Sequence, residues 1–283
     1  CVSGDEHGSV RVMCGISPDR FEWRLEGGEN FETPEAVMCF SADGFGGMSR
    51  AMHDFVNRRI VRGRWAGRGR PVLVNAWEGF MFDFDAKRLL SLAKRAKAIG
   101  AELFVMDDGW FAGRDDDTGG LGDYEPDTKK LPEGVAGLAR DVTALGLDFG
   151  IWFEPEAVNP KSRLYAAHPD WAITEPGREP AFCRNELLLD LTRPEVRDYI
   201  VDSVGGVLDS ARVSYVKWDM NRHLAGVSGA FAHRYILGLY EVLHRIFDAR
   251  PDILLESCSS GGNRFDLGML CFSPQIWCSD DTD

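Results

Sequence analysis

Apolar and polar residues follow two different patterns along the chain. In the first part, short alternating runs at residues 9–13 and 21–25 predict β-strands, and glycine and proline between them indicate turns. In the second part, apolar runs of strand length are followed repeatedly by amphipathic segments of helix length. We therefore expect the end of a β domain, followed by a larger domain of alternating strands and helices.

The two parts meet at a basic, glycine-rich segment at residues 62–71, which predicts a linker. An amphipathic stretch at residues 48–61 predicts a helix that connects the β domain to this linker. We place the two domains at residues 1–60 and 61–283.

In the second part, each strand is identified by an apolar run that ends in polar residues. Main strands are predicted at residues 71–78, 102–108, 147–153, 215–219, 253–257 and 275–278, and a short extra strand at residues 187–191. Thr192 and Glu195 have the spacing of a capping box, which predicts the start of one intervening helix. Strands that alternate with helices pair in parallel through right-handed crossovers.

A doubly wound sheet and a TIM-type (β/α)8 barrel both satisfy this alternation. Polar or charged residues follow every main strand, and a barrel gathers its chemistry from many strand ends on one face. A doubly wound sheet usually carries a glycine-rich phosphate loop, and no GxGxxG motif follows any predicted strand. The pattern favours an α/β fold of the barrel type. Because only six main strands are visible, we expect the barrel to be truncated after about strand six.

Composition narrows the possible partners. The net charge of −13 disfavours nucleic acid, because the phosphate backbone would be repelled, and it is compatible with a neutral ligand such as a sugar. No run of 18 apolar residues is present, so we expect no membrane span. The first residues lack an initiator Met and a signal pattern, and the chain is expected to be an internal piece of a longer protein.

Cysteine and histidine usage argues against disulfides and metal. The number of cysteines is odd, and no CxxC, HxxxH or HExxH spacing occurs. We therefore expect no metal or other cofactor, and free thiols suit the reducing cytoplasm. The seven cysteines are Cys1, Cys14, Cys39, Cys183, Cys258, Cys271 and Cys278.

Two acidic strand ends carry the candidate chemistry. Asp219 ends an apolar strand, and Lys217, two residues earlier, points to the same side and can keep that carboxylate ionised as a nucleophile needs. Asn221 adds a hydrogen-bond donor. Asp280 follows the strand that bears Trp277, and an acid beside an aromatic wall can donate a proton. Taken singly, an acidic residue of either kind more often belongs to a buried ion pair or an acidic loop. Two carboxyl groups on one face of a barrel are the catalytic groups that glycoside hydrolysis requires.

Other strand ends offer sugar-binding groups. Asp107 and Asp108 can accept hydrogen bonds from hydroxyl groups, although adjacent acids also cap helices. The flat rings of Trp77 and Trp152 can stack on a sugar or pack in the core, whereas core packing is the better interpretation for Phe153. The glycine-rich loop after residue 256 contains Cys258, for which a wall contact is favoured over a nucleophile because no His is near it in sequence. The same loop could instead cradle a phosphate, but no GK[ST] motif accompanies it.

Eight motifs in order closely resemble glycoside hydrolase family 36, the large microbial α-galactosidases. They are GGENFETPEA at residues 27–36, NAWE at 75–78, DDGWF at 107–111, WFEPE at 152–156, LDLTRP at 189–194, KWDMNR at 217–222 and, in the last part, ESCS at 256–259 with WCSDDTD at 277–283. The resemblance implies that residues 1–60 end an N-terminal β-supersandwich and that residues 61–283 form a catalytic barrel that is often part of a tetramer. It also implies a galactose-containing oligosaccharide as substrate.

The resemblance further implies residue roles. Asp219 would be the nucleophile and Asp280 the acid/base of a retaining, exo-acting α-galactosidase that hydrolyses melibiose- and raffinose-type sugars by double displacement. The implied substrate-binding residues are Trp77, Asp107, Asp108, Trp152, Arg184, Lys217, Asn221, Cys258 and Gly261. Alternatives are an α-N-acetylgalactosaminidase, a galactosyl-transferring relative, or a non-catalytic sugar-binding fragment.

Overall fold

The computed structural model describes residues 2–18, 21–175, 177–227 and 230–281. Cys1, Thr282 and Asp283, which enter the predictions above, lie outside these ranges.

The N-terminal part contains one hairpin and one helix within the described residues. Strands β1 (Val2–Gly4) and β2 (Val10–Val12) pair antiparallel, and helix α1 (Gly44–Phe55) continues into a π-helical turn at Val56–Ile60. The strand predicted at residues 21–25 is wrong, because these residues form a loop without strand pairing. Their alternating aromatic rings pack instead on His233 of a later helix, with the Trp23 ring 5.5 Å from the imidazole.

Strands and helices alternate through the rest of the chain. The elements, in chain order, are β3 (Leu73–Asn75), α2 (Trp77–Phe80), α3 (Ala86–Ala98), β4 (Leu103–Met106), α4 (Gly134–Ala144), β5 (Asp148–Phe153), β6 (Ala157–Val158), α5 (Arg163–Ala167), β7 (Leu187–Leu188), α6 (Pro194–Ser210), β8 (Tyr215–Trp218), α7 (Ala230–Phe247), β9 (Leu254–Ser257), α8 (Leu267–Leu270) and β10 (Gln275–Ile276). All six predicted main strands are confirmed.

Six strands form one parallel sheet in chain order, β3-β4-β5-β8-β9-β10. In a doubly wound sheet the strand order reverses at a switch point, whereas the strand order of this sheet does not reverse. Sequential order with a helix after each strand is the arrangement of a (β/α) barrel wall. The hairpin of β6 and β7 is an antiparallel insertion between β5 and β8, so the predicted extra strand lies outside the barrel sheet.

The two faces of the sheet have different neighbours. Residues such as Phe104, Ile151 and Val216 belong to the large core between the sheet and its helices. The residues next to them in the strands, such as Leu103 and Tyr215, point to the opposite, inner face and belong to a second cluster there. Gly150 makes room there, because a Cβ at this position would lie 2.9 Å from the Tyr215 ring. Since side chains alternate along a strand, every second position after these inner residues also points inward, as far as the carboxyl end.

The starts of two helices illustrate how they are capped, and one of them corrects a prediction. Asp85 caps α3, as its carboxylate accepts the backbone N–H of Arg88. The capping box predicted from Thr192 and Glu195 is wrong, because α6 begins at Pro194 without a side-chain cap. The Thr192 hydroxyl instead donates to Asp190. Proline at the first helical position replaces the box, since it lacks the N–H that a cap would satisfy.

The segment predicted as a linker is anchored to the amino end of the sheet. Trp65, in a 3₁₀ turn at Gly63–Trp65, packs against the inner apolar cluster, and its indole N–H donates to the carbonyl of Asp252 at 3.3 Å. Arg64 pairs with the Asp252 carboxylate at 2.7 Å. The division into domains at this segment stays a prediction. In the structure, the segment packs against the amino end of the parallel sheet.

Candidate active site

Strand ends of the parallel sheet surround one cavity of about 320 Å³. It is lined by Asn75, Trp77, Glu78, Asp107, Asp108, Trp152, Arg184, Lys217, Asp219, Asn221, Trp277 and Asp280. Nine of the eleven residues proposed from sequence are among them, and both proposed catalytic acids are included. Strand periodicity explains this gathering, because Asn75, Asp107, Trp152 and Lys217 occupy inward positions at the carboxyl ends of four strands.

Asp107 is held by two donors from other strands of the sheet, β3 and β8. Its Oδ2 atom accepts hydrogen bonds from the amide of Asn75 at 2.5 Å and from the ammonium group of Lys217 at 3.0 Å. The side chain of Asp107 is only 4% exposed. A buried carboxylate with a cationic partner stays in place, so one edge of Asp107 is fixed while the residue still borders the cavity.

Asp108 forms a forked ion pair that sequence reasoning missed. Both of its oxygens accept from Arg114, with Nε–Oδ1 and Nη2–Oδ2 distances of 2.9 and 2.8 Å. Burial raises the pKa of Asp108, and the charge of Arg114 opposes that rise. Arg114 is completely buried and also donates to the carbonyl of Gly119 and to Asn159. The pair fixes the second carboxyl of the DDGWF motif against the barrel wall.

Asp219 receives different donors from those expected. The Trp152 indole N–H donates to Oδ2 at 3.1 Å, and the backbone N–H of Met220 donates to Oδ1 at 2.8 Å. Lys217 pairs directly with Asp107 and acts on Asp219 only through its charge. Burial lowers the pKa of Lys217, but Asp107 and Asp219 outweigh burial and raise it above the ordinary value. The lysine therefore stays cationic between the two acids.

Asn221 follows Asp219 by two residues and is anchored to Glu154. Its side-chain amide donates to Glu154 Oε2 at 2.9 Å, and its backbone N–H donates to Glu154 Oε1. The carboxamide oxygen accepts from the Ser260 hydroxyl at 3.1 Å. Asn221 was expected to supply a donor to the site. One side-chain N–H and the backbone N–H anchor it to Glu154, and the supply of a donor to the ligand stays a prediction.

Asp280 occupies the open side of the cavity. Its Oδ1 atom accepts the indole N–H of Trp277 at 2.8 Å, so the aromatic neighbour expected from sequence is in contact with it. Unlike Asp219, which is 5% exposed, Asp280 is exposed to solvent. The Lys217 ammonium lies 5.7 Å from the centre of the Trp277 ring, which connects the two sides of the cavity.

Cys258 and Gly261 support the cavity without lining it. Burial and then the charge of Asp219 raise the pKa of Cys258, so it remains a thiol, which argues against a nucleophile. The predicted contact of Cys258 with the ligand is not supported, because Cys258 is not among the residues that line the cavity. Gly261 has a positive φ of 87°, and a Cβ there would lie 2.9 Å from the Cα of Ser279. Only glycine permits the loop after β9 to approach the segment that carries Asp280 this closely.

Arg184 reaches the cavity from the insertion between β5 and β8. Arg184 and Asn185 both have left-handed backbone conformations, with φ of 49° and 61°, in a turn closed by Cys183 and Glu186. The Asn185 carbonyl accepts from the amide of Asn159 at 2.8 Å. The insertion thus delivers a cation opposite the acidic strand ends.

The aromatic residues divide as the sequence suggested. Trp77 and Trp152 line the cavity, and Trp152 orients Asp219. Phe153 is completely buried in the core, as expected, and so is Trp110, whose indole N–H donates to the carbonyl of Trp152.

Within the described ranges, no group of three or more His, Cys, Asp or Glu side chains is arranged to hold a metal ion.

Among the described residues, no helix has both the length and the apolar character needed to cross a membrane.

Comparisons with known proteins agree on one family. The family described as Melibiase matches residues 30–283. The chain is 48% identical to α-galactosidase AgaA of Geobacillus stearothermophilus and 44% identical to α-galactosidase Mel36A of Lactobacillus acidophilus, in each case over 100% of this chain and 40% of the relative. The crystal structure of GH36 α-galactosidase AgaA superposes with a TM-score of 0.97 at 47% identity, again covering 100% of this chain and 40% of that one. Structures of AgaA variants are titled as complexes with raffinose and with stachyose.

Proposed function

Because this chain belongs to glycoside hydrolase family 36, within the melibiase family, we propose that the full-length protein is a retaining, exo-acting α-galactosidase. The chain spans 40% of the length of the two α-galactosidases described above, so the activity is proposed for the whole protein. The observation that carries the proposal is that Asp219 and Asp280 border a single sugar-sized cavity.

In the proposed mechanism the two acids have different roles. Asp280 gives its proton to the glycosidic oxygen as the bond to the leaving group breaks, and Asp219 attacks the anomeric carbon. A covalent galactosyl-enzyme results. Asp280 then removes a proton from water, the water oxygen bonds to the anomeric carbon, and Asp219 departs as a carboxylate. Two inversions give net retention.

The contacts of the two acids support the roles of nucleophile and acid/base. Asp219 is buried and accepts two N–H groups, which hold its carboxylate oxygens in position for attack. Asp280 is exposed and can exchange its proton with water between the two steps. Asp107 and Asp108 face the same cavity with their positions fixed, and they are proposed to accept hydrogen bonds from galactose hydroxyls.

The remaining features of the whole protein are proposed from the family. The six-stranded wall would be closed by two further strands into a (β/α)8 barrel, and residues 1–60 would complete an N-terminal β-supersandwich. A homotetramer in the cytoplasm is proposed as well. The cytoplasmic location is supported by the six described cysteines, all of which are free thiols.

An assay of the full-length protein on paired substrates tests the proposal. We expect hydrolysis of melibiose, raffinose and p-nitrophenyl α-galactoside, with p-nitrophenyl β-galactoside left intact as the control for anomeric selectivity. Proton NMR early in the reaction should show α-galactose as the first product, since two displacements retain configuration.

Three results would each contradict a part of it. Faster cleavage of the α-N-acetylgalactosaminide would favour that alternative. Predominant transfer of galactose to another sugar would indicate a transglycosylase. Binding of galactose without cleavage of any α-galactoside would indicate a sugar-binding protein.

A further inference from the structure

A buried carboxylate outside the cavity joins four parts of the fold. Glu156 lies between β5 and β6, is completely buried and does not line the cavity. Its Oε1 atom accepts the indole N–H of Trp218 at 2.9 Å and a guanidinium N–H of Arg264 at 2.7 Å, and its Oε2 atom accepts the hydroxyl of Tyr235 at 2.8 Å. These donors come from β8, from the loop after β9 and from α7. The proposed chemistry uses none of these groups.

Arg264 is the cation of this group, and only 10% of its side chain is exposed. Burial lowers the pKa of Arg264, but the charge of Glu156 outweighs burial and raises the pKa above its ordinary value. Arg264 therefore stays charged and forms a buried ion pair with Glu156. A pair of this kind often contributes little net stability, because both charges lose their hydration. Its place beside the proposed nucleophile indicates a role other than stability.

The ion pair contacts the residues on both sides of Asp219. Trp218, immediately before it, donates its indole N–H to Glu156. Met220, immediately after it, has its sulfur 3.1 Å from the same Nη1 atom of Arg264 that binds Glu156. The backbone N–H of Met220 is one of the two groups that hold the Asp219 carboxylate. A displacement of Met220 would therefore displace a donor of the nucleophile.

The loop after β9 is attached to the same segment at two points. Near its start, the hydroxyl of Ser259 donates to the carbonyl of Met220 at 2.9 Å. Near its end, Arg264 contacts the side chain of Met220. Glu156 fixes the second attachment, because it binds the arginine at the nitrogen that meets the methionine sulfur. The backbone and the side chain next to Asp219 are thus both held by one loop.

We propose that Glu156 and Arg264 are positioning residues that hold Asp219 in place for attack on the anomeric carbon. The inference rests on the proposed function for the identity of the reaction. Neither residue lines the cavity, so the pair acts through Trp218 and Met220.

This arrangement separates the position of the nucleophile from the binding of the sugar. Among the described residues, the side-chain hydrogen bonds that hold Asp107 and Asp108 come from neither member of the ion pair. Loss of the pair should therefore displace Asp219 and leave the affinity for galactose close to that of the wild type. A displaced nucleophile slows attack on substrates with good and poor leaving groups by similar factors, unlike the loss of a proton donor.

The test compares catalysis with binding in the full-length protein. It measures kcat/KM for melibiose and for p-nitrophenyl α-galactoside, and the dissociation constant of galactose by calorimetry. Arg264→Met, which removes the charge but keeps a long side chain, should lower kcat/KM by about 10²-fold on both substrates, as expected for a small misplacement of a reacting group. The dissociation constant of galactose should stay within about twofold of the wild-type value, because an effect on the transition state alone leaves binding unchanged.

Two further variants probe the ion pair itself. Arg264→Lys should recover a large part of the loss, because only Nη1 of Arg264 is bonded, whereas Nε and Nη2 have no hydrogen-bond partner among the described residues. A single ammonium group can replace a guanidinium that uses one nitrogen. Glu156→Gln, which removes the charge that attracts Arg264, should lower kcat/KM about tenfold, a value typical of one hydrogen bond to a charged group.

Arg250→Met is the matched control. Arg250 is also an arginine paired with a carboxylate, that of Asp209 at 2.6 Å, and 18% of its side chain is exposed. It lies between α7 and β9, outside the residues that line the cavity. This variant should lower the Tm and leave kcat/KM and galactose affinity unchanged.

Four outcomes would overturn the inference. They are an Arg264→Met variant with wild-type kcat/KM, equal losses in kcat/KM and in galactose affinity, a loss confined to melibiose, or an Arg264→Lys variant as slow as Arg264→Met. If Arg264→Met does not fold, as seen by circular dichroism, Glu156→Gln takes its place, and wild-type kcat/KM or weakened galactose binding in that variant would overturn the inference. A wild type that binds galactose but cleaves neither substrate would instead count against the proposed function.

Discussion

The acidic residues on the two sides of the cavity differ in their burial and in the number of groups that hold them. On the inner side, Asp107, Asp108 and Asp219 are 4%, 4% and 5% exposed, and each is held by at least two N–H donors or by a cation. On the outer side, Asp280 is exposed and accepts one described donor, the Trp277 indole. The same residue type is thus immobilised on one side and left accessible on the other.

This difference in burial indicates where each kind of chemistry can take place. A carboxylate that must attack or bind in a fixed position gains from preorganised donors, because these need no reorganisation during the reaction. A carboxyl group that must deliver a proton and then regain it needs contact with water. Burial with full pairing on the inner side and exposure on the outer side meet these two requirements within one cavity.

Removal of the inner carboxylate should have the largest effect. Asp219→Ala in the full-length protein should lower kcat for an aryl α-galactoside by at least about 10⁴-fold, because no covalent intermediate can form. Initial rates measured with a large excess of substrate would show this. Asp252→Ala, at the amino end of the sheet, is the matched control. Turnover like that of the wild type would remove Asp219 from the mechanism.

Removal of the outer acid should have a smaller effect that depends on the leaving group. Asp280→Asn should lower kcat/KM, which reports the first step, by about 10²–10⁴-fold for melibiose, which is the contribution of general acid–base catalysis. The loss should be smaller for p-nitrophenyl α-galactoside, whose leaving group departs with little protonation. Steady-state kinetics on both substrates check this, with the neighbouring exposed Asp281→Asn as the control. Equal losses on the two substrates would argue against a proton-donor role.

The smallest effect should come from the ion pair on the inner side, and it should appear in stability. Asp108→Asn removes the carboxylate that Arg114 contacts at 2.8 Å and leaves only the more distant Glu186, at 3.8 Å. Loss of one partner of a buried pair destabilises by about 3 kcal/mol. Thermal unfolding followed by circular dichroism measures the change. Asp115→Asn, which removes the exposed partner of Lys130, should lower the Tm far less. Equal shifts for the two variants would show that the inner pairing is not special.

Much of the fold was predictable from local patterns. The six main strands were found because each is an apolar run of about five residues with a polar end, and α3 and α7 because their apolar residues repeat at helical spacing. The prediction of a strand at residues 21–25 was wrong, although apolar and polar residues alternate there as they do in a strand. Alternation marks a surface with two different sides, and here the apolar side faces a helix instead of a second strand.

The site was predictable in its membership and less so in its contacts. Asp107, Trp152 and Asp219 end apolar strands, which identifies them from sequence alone. The pairing of Lys217 with Asp107 instead of Asp219 could not be foreseen, because it depends on the spacing between β4 and β8 with β5 between them. Arg114 and Glu186 were missed because they lie in irregular segments without a repeating pattern.

By itself, the sequence determined the alternation of strands and helices, the polar strand ends and the family to which the chain belongs. These properties depend on residues close to each other in the chain, whose spacing matches the period of a strand or a helix. Only the tertiary structure decided which acid is buried with a cation and which is left exposed. Those outcomes depend on distances between residues that are far apart in sequence, and burial and charge act through such distances alone.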